Sequence, residues 1–190
     1  MKKNGIIIIG ICLSLCLLFA GYQIKLSMPK TYYLPQQNII YMDYRENINI
    51  KNTIADIEKI EYPMTIEVTN FESYNRYIAI MTKYDNQRYF YLFKRKMSDY
   101  YYVIHKYKMS LTDENIYYIH IDNLVFIFGY NQYATNLNIS VPNSHTYIGN
   151  EFSYQNSNIM ICLLDNKNDI GPIRIYDNQG TQLTEAKKCE

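Results

Sequence analysis

Hydrophobic and polar positions along the chain fall into three regimes. From Gly5 to Ile24 the sequence is almost unbroken apolar, and Lys2, Lys3 and Lys25 bound it. These twenty residues span roughly 30 Å as a helix, the thickness of a bilayer's hydrocarbon core. Residues 25–37 are mixed, carry Pro29 and Pro35, and read as a juxtamembrane spacer. Beyond Pro63 come short runs rich in Ile, Val, Tyr and Phe, with turn residues between them at intervals of about ten, the signature of a sandwich or barrel.

The pattern predicts strands near 64–69, 77–84, 88–95, 100–108, 116–121, 124–130, 136–141, 158–164 and 172–176. Asp85-Asn86-Gln87 and Lys96–Asp99 are the connections of a three-stranded antiparallel meander over 77–108, and Asp122-Asn123 joins the next pair. Leu137, Ile139 and Val141 alternate with Asn136, Asn138 and Ser140, which puts one face on a core and one in water. Gly180 in Asp177–Gly180 suits a hairpin turn before a short closing strand, 181–184. Upstream, Asn47–Lys51 alternates like a short half-buried strand. Asn52 or Thr53 then caps one helix, in which Ile54, Ile57 and Ile60 recur every third residue until Pro63 ends it. The expected fold is all-β, a mainly antiparallel β-sandwich or barrel-like domain with one short helix, preceded by an N-terminal transmembrane helix. The expected organisation is a membrane anchor or uncleaved signal segment over 1–24, the spacer over 25–37, and an extracytoplasmic β domain over 38–186.

Orientation follows from charge. Lys2 and Lys3 keep the amino terminus cytoplasmic, although Lys25 and Lys30 beyond the run make the bias modest. Signal peptidase prefers small residues at −3 and −1. Ala20 supplies the −1 position, but −3 is Leu18, and the run is longer than an ordinary signal-peptide core. Neither Cys12 nor Cys16 follows the small residue that lipidation requires; Ile11 and Leu15 precede them. The expectation is a retained single-pass anchor in the cell membrane, with secretion after cleavage as the alternative. Outside the run only Cys162 and Cys189 remain, and Ile159–Leu164 reads as a buried strand in which Cys162 acts as a small hydrophobe.

Nineteen basic against eighteen acidic residues give a net charge of +1, which excludes a polyelectrolyte built for nucleic acid. The distribution is uneven. Residues 83–108 hold seven cations against two acids, whereas 109–190 hold four against nine. The meander's Arg88, Lys94, Arg95, Lys96, Lys106 and Lys108 interleave with aromatics, among them Tyr100 and Tyr101. Such a basic and aromatic face suits anionic lipid headgroups, an anionic envelope polymer or another envelope protein. The competing reading is a solvated sheet face whose lysines protect its edge.

Catalytic patterns are weak. Seven glycines form neither G-x-G-x-x-G nor a Walker loop, and no serine stands in G-x-S-x-G. His120-Ile-Asp122 and Asp165–Asp169 lack the ligand number and spacing of a metal site, so neither a metal nor another cofactor is expected. His145 reads as a loop side chain exposed to solvent. His105 or His120, Cys162 and Arg174 occur in the chain order used by sortases, membrane-anchored β-barrel transpeptidases, with Cys162 and Arg174 expected on neighbouring strands. This is the alternative functional reading. It departs from the sortase pattern before the nucleophile, where Asn158-Ile-Met-Ile-Cys162 replaces Thr-Leu-x-Thr-Cys.

The Met-Lys-Lys start with its apolar run, the strand Leu124–Tyr130 leading into Asn136–Val141, and the closing Ile173–Gly180 resemble small, uncharacterised exported proteins of low-GC Gram-positive bacteria. That resemblance implies an extracytoplasmic β domain behind one membrane segment. Taken together, the expectation is a non-enzymatic, membrane-anchored binding or accessory protein of the cell envelope.

Overall fold

The computed structural model describes residues 14–20, 22, 28–34, 44–140, 147–150, 158–164 and 170–189. Cys12, His145 and the 165–169 loop lie outside the described residues, as do 5–13, 21, 23 and 24 of the apolar run. The chain forms two compact units, Met1–Lys30 and Thr31–Glu190. In the first, residues 14–20 are helical and expose Leu15, Leu17, Leu18 and Phe19. Among the described residues no helix is long and apolar enough to cross a membrane.

The second unit is mostly antiparallel β, with a sheet curled into a half-barrel. Its first sheet contains β1 (Tyr32–Tyr33), β2 (Glu67–Tyr74), β3 (Tyr77–Tyr84), β4 (Gln87–Met97) and β5 (Tyr100–Ser110), in the order β1-β5-β4-β3-β2. The predicted meander is present and gains β2 and the edge strand β1, the latter inside the expected spacer. The second sheet contains β6 (Ile116–Ile121), β7 (Leu124–Gly129), β10 (Asn158–Leu163) and β13 (Lys187–Lys188), in the order β10-β7-β6-β13. The third contains β8 (Asn136–Ile139), β9 (Tyr147–Asn150), β11 (Ile173–Tyr176) and β12 (Gln182–Glu185), in the order β12-β11-β8-β9.

Helix α1 (Tyr44–Glu58) begins well before the expected cap and absorbs the strand expected at Asn47–Lys51. The reason is the wider period. Ile50, Ile54 and Ile57 are four and three residues apart, one face of a helix, and Ile50 and Ile54 are fully buried. The alternation in 47–51 is too short to outweigh that face. At its end Lys59 turns left-handed at φ 60°, and the Ile60 N–H returns to the Ala55 carbonyl at 2.9 Å, a Schellman closure.

Alternation along the strands sorts side chains into three cores. Ile50, Ile54 and Ala55 of α1 cover one face of the first sheet, formed by Ile78, Ile80, Tyr91 and Phe93. The opposite face, with Ala79, Met81, Phe90 and Leu92, packs on Ile119, Phe126 and Phe128 of the second sheet. The second sheet's other face, Ile116, Val125, Ile127 and Cys162, packs on Leu137, Ile139, Ile173 and Ile175 of the third. The layers therefore run helix, sheet, sheet, sheet. Two sheets are buried on both sides, which is why β3 and β7 read as continuous apolar runs.

Candidate functional site

The structure divides the basic stripe expected along the meander. Lys106 and Lys108 point to the helix side, their ammonium groups 5.8 and 5.7 Å from the Tyr89 ring centre, and Lys106 Nζ lies 2.6 Å from Glu58 Oε2. Lys106 therefore takes part in holding α1 to the sheet, whereas Lys108 is exposed and stays on the sheet's own surface. Arg88 donates to the Leu111 carbonyl at 2.7 Å and lies over the Tyr130 ring at 4.4 Å, which clamps the β5–β6 connection. Seven residues along β4 put Arg88 roughly 23 Å from Arg95. Tyr101, expected on the binding face, is core: it pairs with Tyr32 and packs in the cluster beneath α1. Burial raises its phenol pKa, against the pull of the Arg95 guanidinium.

Lys94, Arg95, Lys96 and Tyr100 do gather, at the end of the first sheet where β4 turns into β5. Arg76, which the sequence did not single out, joins them. The tight turns that build this end each place a non-glycine residue in the left-handed region, Asn75 (φ 54°), Ser98 (φ 47°) and Asp122 (φ 56°). Asn and Asp tolerate that conformation better than most residues, so the polar turn residues are there for backbone reasons. The Arg95 N–H donates to the Arg76 carbonyl at 2.6 Å and ties β4 to the β2–β3 turn. Across from it, the Asn123 carbonyl accepts from Leu164 N–H at 2.8 Å and fixes the β6–β7 turn.

Between these turns lies a cleft of about 380 Å³ lined by Asn75, Arg76, Tyr77, Arg95, Asp122, Asn123 and Leu124. Arg76 and Lys94 each stand 5.7 Å from the centre of the Tyr77 ring. Arg76 also faces Asp122 at 3.6 Å, in a long ion pair with both partners about half exposed. Among the described residues neither Lys94 nor Arg95 forms an ion pair. Tyr77 is only 3% exposed, and its hydroxyl is buried without a hydrogen-bond partner. At the rim, Tyr33 and Tyr100 meet edge to face at 6.2 Å, and Tyr33 (52%), Tyr100 (47%) and Met97 (71%) are exposed.

The His, Cys and Arg set is not assembled. Cys162 and Arg174 were expected on neighbouring strands, but β10 pairs with β7 and β11 pairs with β8 and β12, in different sheets. Arg174 alternates with buried Ile173 and Ile175, so it faces away from that core, 3.6 Å from Glu185. His120 and Cys162 both oppose Val125 and so share one row of the second sheet, two strands apart. His105 lies on β5 in the first sheet. Cys162 is 0% exposed. Cys162 and Cys189 lie at opposite edges of the second sheet, three strand spacings or roughly 14 Å apart. A disulfide bridges at most about 7 Å between Cα atoms.

Among the described residues no three His, Cys, Asp or Glu side chains gather as a metal site. Comparison with protein-family models, curated proteins and solved structures finds no match to this chain.

Proposed function

We propose that the protein is a non-enzymatic, membrane-anchored extracytoplasmic binding or accessory protein of the cell envelope, and that it meets the anionic lipid surface with the basic end of its first sheet. The observation that carries this reading is the meeting of Arg76, Lys94, Arg95 and Lys96 with exposed Tyr33, Met97 and Tyr100 at one rim. Aromatic rings with a polar tip and cations on apolar stems are the side chains that sit at a headgroup boundary. Each cation near an anionic surface adds about 1 kcal/mol, and Asp99 and Asp122 offset part of that. The apolar run 5–24 behind Lys2 and Lys3 supports a single-pass anchor with a cytoplasmic amino terminus. Tyr32 follows Ile24 by only eight residues in sequence. The sortase-like alternative asks for a thiol open to substrate, which full burial of Cys162 disfavours.

The test places a polarity-sensitive dye at Met97→Cys in the full chain, held in discs of neutral lipid or of neutral plus anionic lipid. Emission shifts to the blue in the anionic discs, and combined Lys94→Glu, Arg95→Glu and Lys96→Glu abolishes the shift. The same emission in both discs rejects the membrane surface as the partner, and a shift produced only by added wall polymer reassigns it.

A further inference from the structure

Diffuse charge at a rim does not require a cleft, yet one is built beside it. We infer that the cleft between the Asn75–Arg76 and Asp122–Asn123 turns is a discrete site for one phosphate-ester group, which deepens the reading of this end of the sheet because a lipid headgroup is one source of such an ester.

Charge and donor geometry argue for the anion. Two guanidinium groups, Arg76 and Arg95, line the walls together with two carboxamides, Asn75 and Asn123, while Asp122 is the single acidic residue in the lining. Lys94 stands over the Tyr77 ring at the same place. A guanidinium presents its N–H groups as a planar fork that matches phosphate oxygens in pairs, which a lysine cannot do. The Arg76–Asp122 pair, at 3.6 Å and half exposed, is loose enough for Arg76 to take a better acceptor. Asp122 then accepts from a hydroxyl on the organic part of the ester.

Tyr77 closes the inner wall. It is 3% exposed, and Arg76 and Lys94 both stand over its ring, so it holds the two cations beside the cleft. Size sets the ligand class, because a cleft of about 380 Å³ is too large for a bare phosphate and accommodates a glycerol- or sugar-sized substituent. The walls are preformed, since the backbone bonds from Arg95 to Arg76 and from Leu164 to Asn123 fix both turns.

The experiment titrates the full chain in a neutral maltoside detergent by calorimetry with glycerol 3-phosphate, inorganic phosphate and glycerol. Glycerol 3-phosphate binds saturably at one equivalent, inorganic phosphate more weakly, and glycerol not at all. Arg76→Gln and Arg95→Gln each weaken glycerol 3-phosphate by about tenfold or more. Lys83→Gln, the same loss of charge at an exposed site at the other end of β3, leaves binding unchanged. Absence of saturable binding, or an equal loss with Lys83→Gln, overturns the site. A variant whose thermal unfolding without ligand is shifted is replaced by Arg→Lys at the same position, which keeps the charge and removes the fork, and tenfold weaker binding is again expected. Saturable binding without a dye response to anionic lipid keeps the cleft and rejects the membrane reading. A dye response without saturable binding does the reverse.

Discussion

At the scale of single residues, burial governs the chemistry of the thiols. Cys189 is packed among Tyr117, Ile119 and Phe128, and burial pushes its pKa up to about 11. The thiolate is the reactive form, so at pH 8 about one molecule in a thousand is poised to react, against about one in four for an ordinary thiol. Cys162 is shut off more completely, with no exposed surface. Iodoacetamide applied to the native protein at pH 8, with peptide mapping by mass spectrometry, therefore labels both at least about a hundredfold more slowly than after unfolding. Fast native labelling of Cys162 would refute its burial and return it to consideration as a nucleophile. The sign of the pH effect follows from the same shift. The folded state holds the Cys189 proton more tightly than the unfolded chain, so stability is unaffected below the ordinary thiol pKa. It declines as pH rises from there toward 11.

At the scale of elements, the helix end isolates one local conflict. Lys59 occupies the left-handed position that closes α1, where a Cβ is strained and glycine is the usual solution. Its ion pair with Asp56 is long and exposed and contributes little. Lys59→Gly accordingly stabilises the protein by about 0.5–1 kcal/mol, a rise in Tm of roughly 2–3 °C, measurable by calorimetry. An unchanged or lower Tm would show that the left-handed strain is absorbed elsewhere. The elements legible in the sequence were those with a strong local signal. Tyr77–Tyr84 and Ile116–Ile121 have the predicted bounds because an apolar run between turn residues suffices to define them. Strands β1 and β13 are two residues each and carry no period, so only their partners Tyr100–Tyr101 and Tyr117–Tyr118 define them. The helix start was hidden because Ile48 and Ile50 fit both a strand and a helix. The candidate site was legible only in part for a similar reason. Lys94 and Arg95 showed as charge, but Arg76, Asn75 and Asn123 look like turn residues until two sheets bring their turns together.

At the scale of the whole molecule, stability depends on stacking three sheets that come from distant parts of the chain. The second sheet is the middle layer, buried against the first through Phe126 and Phe128 and against the third through Val125 and Ile127. One of its edges is closed by β13, whose Lys187 and Lys188 run parallel to Tyr117 and Tyr118, the one parallel pairing among the described strands. Cys189 then adds a backbone bond to the Tyr118 carbonyl at 2.9 Å and its side chain to the core. These few residues cover the β6 edge, which otherwise presents unpaired backbone groups to solvent. A chain ending after Ala186 loses a few backbone hydrogen bonds at about 1 kcal/mol each and the burial of Cys189, together roughly 2–4 kcal/mol. Its denaturant midpoint falls accordingly, and the uncovered edge makes it self-associate in sedimentation at concentrations where the full chain does not. Cys189→Ala separates the two contributions: it removes the thiol's packing but keeps the backbone pairing, so it lowers the midpoint by a smaller amount without self-association. Equal stability of the truncated and full chains would mean that β6 closes the sheet unaided.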